Sequence, residues 1–413
     1  MGVLFDGIQR LPKELAPARP LLLRWLSDSE SIRRRNMRMD RASAYIYNMV
    51  CAAGFRCCIL KGQGNALLYP HPSSRIPGDV DVWVMANREE LRHIAFSLTE
   101  GDGSSLQESL NHIGLTVHGV SVELHSTPAL LNSPLHNSRL QKWLKRNADL
   151  QCGNRIALPN NAGEVAVPTL SFNIIYQLCH LFHHCFYEGV GLRQIVDYYL
   201  VLKNTDFSGN TNGVSGNTDE GCLFLNTDFT DFTDRIGGNA ESDGSLMNTD
   251  FTDFTDRLDG NTDRGCFLLN TDCTDCTDSS SGGLGEVDSG GALVALQEEL
   301  KWLGLWEFAG AVMYVLREVM GLDEKRMICA PDERRGRLLL EEIMAGGNFG
   351  HYDTRNHFGQ GALWHNIQRF RRDWRMLRFY PSEALSEPLF RVCHFLWRWK
   401  QKHAGKPKER NRN

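Results

Sequence analysis

The sequence predicts an α+β fold, with short strands in its N-terminal half and helices in most of the remainder. Apolar and polar residues alternate with period two over 78–84 and over 120–125, which is the pattern of half-buried strands. Apolar residues at helical spacing dominate 17–53, 169–203 and 292–320. With 42% hydrophobic and 23% charged residues, the 413-residue chain has the composition of a globular protein, which excludes a collagen or a coiled coil.

The elements of the N-terminal half are predicted from the start of the chain onward. A helix is predicted over 17–53, and the apolar stretch CCILKG at 57–62 predicts a short buried strand. The next segment begins as a helix and breaks at a cluster of prolines, because proline removes a helical hydrogen bond. The alternating strand at 78–84 follows, and its valines are predicted to face the core.

Three carboxylates are expected to converge in this sheet. Asp79 and Asp81 are two residues apart on one strand and therefore share a face, and Glu123 lies on the polar face of the second strand. Side-by-side carboxylates repel each other unless water or a divalent cation neutralises them. If the two strands pair, the acids form a site that suits Mg²⁺, which binds a few carboxylates together with water and phosphate oxygens. A solvated polar strand face is the alternative explanation.

Histidines and an oppositely charged pair mark the helical region at 169–203. His180, His183 and His184 share one helical face, which is compatible with a zinc site or with packing and substrate contacts. Arg193 and Asp197 are four residues apart, so that they either form an ion pair within the helix or position a substrate.

Two later segments of the helical half are also candidates for a function. The segment GGNFGHYD follows a helix and predicts a tight loop, on which Asn348 and His351 are candidate substrate contacts. The stretch FRVCHFLWRWK at 390–400 is amphipathic, and either a core helix or a helix lying on a membrane surface explains it. A basic tail follows at 401–413.

A tandem repeat interrupts the helical half. Four units of 22 residues, each beginning with Asn-Thr-Asp, fill 204–291. This segment holds 18 acidic residues and three arginines and has no recurring apolar face, so that a disordered insertion is predicted rather than a solenoid. Calcium binding by its aspartates and a zinc or redox role for its CxxC pair are weaker explanations. Outside the insertion the net charge is +10, which is compatible with anionic substrates, including nucleotides or nucleic acid.

Targeting signals and disulfides are not expected from the sequence. The chain has no run of 18 or more apolar residues, and its first residues lack the basic and apolar regions of a signal peptide. Without such a peptide, the 12 cysteines are expected to be reduced thiols. These observations predict a cytoplasmic protein without a transmembrane segment.

A set of short motifs extends along most of the chain outside the repeats. The motifs are Leu60-Lys61-Gly62, Arg75, Gly78-Asp79-Val80-Asp81, Val122-Glu123-Leu124-His125, Gly191-Leu192-Arg193-Gln194 with Asp197, Gly346-Gly347-Asn348-Phe349-Gly350-His351 and Pro381-Ser382-Glu383. Together they resemble the uncharacterised bacterial nucleotidyltransferases of the polymerase-β-like superfamily. One departure is the distance of 17 residues from Gly62 to Asp79, which exceeds the usual glycine-to-carboxylate spacing of the wider superfamily.

The resemblance implies a small mixed β-sheet core with helices, followed by a mostly α-helical domain that carries the repeat insertion. It implies that Asp79, Asp81 and Glu123 are catalytic residues and ligands for Mg²⁺, with two ions bound and Mn²⁺ as a substitute. The residues that it places near nucleotide phosphates are Lys61, Gly62, Gly64, Arg75 and Gly78. The candidate substrate contacts are His125, Arg193, Asp197, Asn348 and His351.

The predicted organisation and function follow from these assignments. The domains are a nucleotidyltransferase-like domain at 1–165, a helical domain at 166–203 and 292–400, the repeats at 204–291 and the tail at 401–413. The predicted activity is Mg²⁺-dependent transfer of a nucleoside monophosphate from an NTP to a hydroxyl or amine of a small molecule, sugar or protein. The alternative is a nucleotide-binding regulator of the same fold without turnover, and a nucleic-acid-binding scaffold is a third hypothesis.

Overall fold

The computed structural model describes residues 1–99, 101, 106–187, 189–205, 289–346 and 362–404. This part of the chain contains a five-stranded mixed sheet in the N-terminal half and a mostly helical remainder, which confirms the predicted α+β class. Residues 206–288, which make up most of the repeat insertion, lie outside the described residues, as do Asn348, His351 and 405–413. The predicted domain boundaries remain predictions.

The main sheet has a strand order that differs from the order in the chain. Its strands are β1 (Cys57–Leu60), β2 (Val80–Val84), β3 (Gln107–Glu108), β4 (His112–Val117) and β5 (Val120–His125). The order across the sheet is β1-β2-β5-β4-β3, with β2 parallel to β5 and the other neighbours antiparallel. A second, two-stranded sheet contains β6 (Arg155–Leu158) and β7 (Gly163–Ala166).

Helices pack against the main sheet and form most of the second half of the chain. The helices of the N-terminal half are α1 (Gly2–Ile8), α2 (Arg19–Ala52), α3 (Gly62–Ala66), α4 (Arg88–Leu98) and α5 (Pro134–Gly153). The later helices are α6 (Leu170–Tyr187), α7 (Leu192–Asn204), α8 (Ser289–Trp302), α9 (Trp306–Met320), α10 (Glu333–Gly346), α11 (Ala362–Leu377) and α12 (Pro381–Ala404). Short 3₁₀ turns lie at Lys13–Leu15, Pro72–Ser74, Pro159–Asn161 and Glu324–Arg326.

The strands form where the sequence alternates, and they end where the backbone leaves the extended region. The predicted strands at 78–84 and 120–125 correspond to β2 and β5. The strand predicted at 57–62 is shorter in the structure, because β1 ends at Leu60 and the following residue, Lys61, has a φ of 46°. A positive φ is incompatible with an extended strand for a residue that has a side chain.

The position of β2 decides where the acidic residues lie. β2 runs between β1 and β5, and all five of its residues are buried. The register places Asp81 opposite Leu60 on one side and Glu123 on the other. A carboxylate at the centre of a sheet is tolerated only when neighbouring groups satisfy its charge, so the surroundings of Asp81 have to supply positive groups.

Helix α6 is the interior helix of the second half. It is apolar on nearly every face and buried along most of its length, as expected for a helix surrounded by protein. It contacts α7, α9 and α11. Polar side chains on α6, such as His180 and Gln177, must therefore find partners inside the protein.

Helix α12 contradicts the core-helix explanation of the amphipathic C-terminal stretch. Leu396 and Trp399 are exposed, and no residue from 390 to 400 is buried. Neither α12 nor any other helix in the described ranges is long and apolar enough to cross a membrane.

Asp40 of α2 is an acid buried in the N-terminal half. Its Oδ1 accepts a hydrogen bond from Nε2 of Gln63 in α3. Burial raises the pKa of Asp40 to about 6, and the hydrogen bond from Gln63 offsets only part of this effect. In the unfolded chain the pKa of an aspartate is about 3.9, so the folded state holds the proton more tightly. Ionisation of Asp40 therefore destabilises the fold increasingly as the pH rises from about 4 to about 6.

We predict that Asp40→Asn reduces this loss of stability. The amide keeps an oxygen for Gln63 and has no proton to lose, so the melting temperature of the variant should gain on that of the native protein between pH 4 and pH 7. Thermal unfolding of both proteins across this range measures the difference. A constant difference in melting temperature across this range would show that folding does not raise the pKa of Asp40.

Candidate active site

Three carboxylates meet where β2 runs beside β5. The parallel register places Asp81 directly opposite Glu123, and Asp79 immediately precedes β2. One carboxylate oxygen from each of the three acids lies within 4.8 Å of the others. Side chains at paired positions of neighbouring strands point to the same face, so the convergence follows from the register.

Two cationic side chains neutralise Asp81, which is only 6% exposed. The Nζ atom of Lys61 lies 3.0 Å from Oδ2 of Asp81, and Nε2 of His125 lies 3.0 Å from Oδ1. Burial by itself raises the pKa of Asp81, but the charge of Lys61 and the hydrogen bond from His125 outweigh burial and lower that pKa. Asp81 is therefore ionised at neutral pH.

His125 is a positive partner shared by two carboxylates. Its Nε2 lies 3.3 Å from Oε2 of Glu123 in addition to its contact with Asp81. Burial favours the neutral ring, yet the hydrogen bonds to Asp81 and Glu123 raise the pKa of His125 to about 9. Burial also opposes ionisation of Glu123, and the hydrogen bond from His125 lowers the pKa of that acid. His125 therefore carries a positive charge between Asp81 and Glu123.

Asp79 is the acid whose ionisation is disfavoured. Burial, and then the neighbouring charge of Asp81, raise the pKa of Asp79, and Lys61 offsets these effects only in part. A further cation placed among the three carboxylates would relieve this repulsion. Carboxylate oxygens are the ligands that Mg²⁺ and Mn²⁺ prefer, so the donor set fits such an ion.

A second group of potential ligands shares Glu123. His112 of β4 pairs with His125 of β5 in the register, and Nε2 of His112 lies 3.7 Å from Oε1 of Glu123. His112, Glu123 and His125 have ligand atoms within 4.8 Å of one another. Burial lowers the pKa of His112, which keeps its ring neutral at pH 7.

Lys61 is held in place by the helical half of the protein as well as by Asp81. Its Nζ lies 3.1 Å from Nε2 of His180 in α6, and Nε2 of His184 lies 2.8 Å from the same His180 atom. Burial, then the charges of Lys61 and His184, keep the pKa of His180 well below its ordinary value. The neutral ring of His180 accepts a hydrogen bond from Nζ of Lys61, and this contact helps to hold the lysine in place. A zinc site at His180, His183 and His184, the alternative to packing or substrate contacts, is not among the ligand groups found in the described residues.

Arg75 and Asp197 form a buried bidentate pair between the two halves of the chain. Nε and Nη2 of Arg75 donate to Oδ1 and Oδ2 of Asp197 at 2.9 and 2.7 Å. The hydroxyl of Tyr69 donates to Oδ1 of Asp197 at 2.6 Å. Burial opposes ionisation of Asp197, but the charge of Arg75 and its hydrogen bonds lower the pKa of this acid. Asp197 therefore pairs with Arg75, which lies 122 residues away in the chain. Arg193, on the same helix as Asp197, donates from Nη1 to the carbonyl oxygen of Ile76 at 3.4 Å.

The predicted phosphate-binding glycines differ in their surroundings. Gly62 has a φ of 32°, which favours glycine, and a Cβ there would lie 3.7 Å from the carbonyl oxygen of Asp79. A Cβ on Gly64 would lie 3.1 Å from Cγ1 of Val167, so packing against Val167 explains the lack of a side chain at Gly64. A Cβ on Gly78 would lie 3.5 Å from Nη2 of Arg193.

A cavity of about 530 Å³ opens over the carboxylates. The predicted site residues that line it are Lys61, Gly62, Arg75, Gly78, Asp79, Asp81, Glu123, His125, Arg193 and Asp197. Of the predicted residues that the structure describes, only Gly64 is not part of the lining. The predicted contacts Asn348 and His351 lie outside the described residues.

Sequence reasoning missed several residues of the cavity. His112 had a usable signal, because HIGLTV at 112–117 alternates like the two strands that were predicted. Tyr187 and Arg369 had none, because they reach the cavity from α6 and α11. Their position at the cavity is a result of tertiary packing alone.

Comparison with known proteins assigns the chain to a family. A family model described as "Uncharacterised nucleotidyltransferase" matches residues 1–215, which is just over half of the chain. The chain belongs to this family of nucleotidyltransferases. The match includes all three carboxylates and both strands that carry them.

Other comparisons add little to the family assignment. The crystal structure of an antigenic nucleotidyltransferase-like protein from Paracoccidioides brasiliensis is similar to this nucleotidyltransferase family member at 15% identity, over 40% of this chain and 75% of that one. The TM-score of 0.26 is too low to support an argument about fold or site. No curated protein matches the chain.

We predict that Asp197→Ala strongly destabilises the protein. The change leaves the buried guanidinium of Arg75 without its counter-charge, which costs about 3 kcal/mol or more of unfolding free energy. Asp149→Ala is the matched control, because the Arg56–Asp149 pair is exposed and its loss costs less than about 1 kcal/mol. Denaturant unfolding of both variants measures the two costs, and equal costs would contradict a structural role for the buried pair.

Proposed function

We propose that this protein transfers a nucleoside monophosphate from an NTP to an acceptor hydroxyl or amine, with Asp79, Asp81 and Glu123 as the catalytic carboxylates. The observation that supports this proposal best is the convergence of the three acids within 4.8 Å, on neighbouring parallel strands. Membership of a nucleotidyltransferase family supports the same reaction class.

The carboxylates are the groups that would hold metal. Asp79, Asp81 and Glu123 would bind Mg²⁺, with two ions as the expected number and Mn²⁺ as a substitute. When bound, such ions polarise phosphoryl oxygens and help to stabilise both the attacking and the leaving oxygen. The raised pKa of Asp79, caused by burial and then by Asp81, supports this assignment, because its ionisation needs a compensating cation.

Positive groups of the chain would bind the triphosphate. Lys61 and Arg193 line the cavity beside the acids, and Arg75 adds a guanidinium whose Nη1 has no hydrogen-bond partner among the described residues. A phosphate oxygen at Nη1 would satisfy this buried donor. The backbone at Gly62 and Gly78, which also border the cavity, would allow close approach of phosphate.

The reaction needs one bond to form and one to break. The acceptor oxygen or nitrogen attacks the α-phosphorus, and the bond from this phosphorus to the oxygen that bridges to the β-phosphate breaks, so that pyrophosphate leaves. Glu123, or a water that it orients, takes the proton of the acceptor. Neutral His112 lies beside Glu123 and can receive this proton next. His125 keeps Asp81 and Glu123 oriented throughout, because its Nε2 contacts both.

The acceptor is expected to approach from the helical side of the cavity. His180, Arg193 and Asp197 line this side, together with Arg369 from α11. Polar and charged groups in this number favour a polar acceptor, such as a small hydroxylated or amino compound, a sugar or a side chain of a protein.

We predict that Asp79→Asn abolishes transfer without harming the fold. Pyrophosphate release with Mg²⁺, NTPs and cell extract as the source of acceptor should fall by at least about a hundredfold, because one metal ligand is lost. The melting temperature should be equal or higher, because the amide removes the repulsion from Asp81.

The control for this experiment is Asp149→Asn, the same change at an exposed carboxylate of α5. It should keep full activity. Native-level activity of Asp79→Asn would contradict the assigned role. Mg²⁺-dependent nucleotide binding without any pyrophosphate release by the native protein would favour the regulator that lacks turnover.

A further inference from the structure

The two C-terminal helices expose an unusual amount of apolar surface. On α12 the exposed fractions of Leu385, Leu389, Val392, Leu396 and Trp399 lie between 55% and 64%. These five residues are spaced by four, three, four and three positions, so that they form one stripe along the helix. We call them the α12 stripe.

The opposite face of α12 is fixed to the protein, so that the stripe cannot turn inward. Glu383 accepts hydrogen bonds from the backbone N–H groups of Asn132 and Ser133, at 2.6 and 3.2 Å. Glu387 is fully buried and pairs with Arg391. Arg391 in turn contacts Asp373 of α11 at 3.4 Å. These polar contacts on the inner face orient the stripe to the outside.

Helix α11 adds exposed aromatic and basic residues to the same pair of helices. Phe370 and Trp374 are 61% and 67% exposed, and they stack on each other at 6.4 Å between ring centroids. Arg371 is exposed as well, and Arg378 is exposed just beyond the end of the helix. α11 and α12 contact each other directly, and both present large exposed apolar side chains.

The charge near the α12 stripe selects the kind of partner. From Pro388 to Ala404 the helix contains no acidic residue, and Lys400, four residues after Leu396, borders the stripe. The basic tail continues this charge in sequence beyond the helix. Spacing of four and three also suits helix pairing, but parallel pairing of two copies would bring their basic C-terminal ends together. A partner with an anionic part and an apolar part can contact both the basic residues and the apolar stripe.

Among anionic partners, a lipid surface fits better than a nucleic acid. Protein surfaces that bind nucleic acid are polar and contact phosphates and base edges, whereas leucine and valine make up most of the α12 stripe. Amphipathic helices that lie on membranes combine leucine and tryptophan on one face with lysine and arginine at its borders. Basic clusters near such helices bind anionic headgroups.

We propose that α11 and α12 form a membrane-binding surface, which docks the protein on a bilayer that contains anionic lipids. The α12 stripe and Trp374 enter the boundary between headgroups and acyl chains, and Lys400 contacts the headgroups. The helices lie on the bilayer and do not span it. This proposal does not depend on the proposed transfer reaction, because it concerns a surface formed by other residues.

Vesicle flotation of the full chain tests the proposal. The vesicles are phosphatidylcholine alone, or phosphatidylcholine with about one-third phosphatidylglycerol. The native protein should float with the anionic vesicles and release them at high salt, and it should stay unbound with phosphatidylcholine alone. The double variant Leu389→Gln with Leu396→Gln should bind the anionic vesicles at least about tenfold more weakly, because two apolar side chains no longer enter the bilayer.

A matched control separates this surface from a general loss of exposed leucine. Leu135→Gln with Leu150→Gln changes two exposed leucines of α5, and it should bind the vesicles like the native protein. The melting temperatures of both double variants should match the native value, because all four positions are exposed.

Three outcomes would overturn the proposal. The first is no binding of the native protein to either vesicle, and the second is equal binding to both. The third is a dimer in analytical ultracentrifugation that the α12 double variant alone disrupts, without vesicle binding, since the stripe would then be an interface between two copies of the chain.

Discussion

The need to neutralise three carboxylates in a confined place governs the structure around the candidate site. The parallel pairing of β2 with β5 brings Asp81 opposite Glu123, with Asp79 next to both. Without counter-charges this arrangement would be strongly unfavourable. Lys61 and His125 supply them, each 3.0 Å from an oxygen of Asp81. Burial and then the charge of Asp81 raise the pKa of Asp79. A further cation at the site would favour ionisation of Asp79.

The helical half completes the site that the sheet begins. His180 of α6 accepts from Lys61, and Asp197 of α7 holds Arg75 through two hydrogen bonds. Asp197 is buried and His180 is partly buried, and both act on segments that border the sheet carboxylates. The cavity is therefore shared by both halves of the chain. The positions of Lys61 and Arg75 depend on helix packing, although both residues lie in the N-terminal half.

Local patterns in the sequence were enough to predict the strands and their acids. The alternation around Asp81 and Glu123 defined β2 and β5, and the spacing of two placed Asp79 beside Asp81. The partners of these residues were not predictable, because they depend on contacts between distant segments. Asp197 was expected to pair with Arg193 or to position a substrate, and the structure adds a pairing with Arg75 of a distant segment. The exposure of the α12 stripe likewise depends on buried contacts of the opposite face, which no local pattern shows.

The fate of each phosphate of the donor tests the central claim most directly. The native protein would be incubated with Mg²⁺, cell extract and an NTP labelled at the α-phosphate or, separately, at the γ-phosphate. Nucleotidyl transfer predicts that the α-label appears in a new, larger product and that the γ-label appears only in pyrophosphate or in the phosphate formed from it. A γ-label on the product would show phosphoryl transfer, and γ-labelled phosphate without any α-labelled product would show hydrolysis. Either result would contradict the proposed reaction.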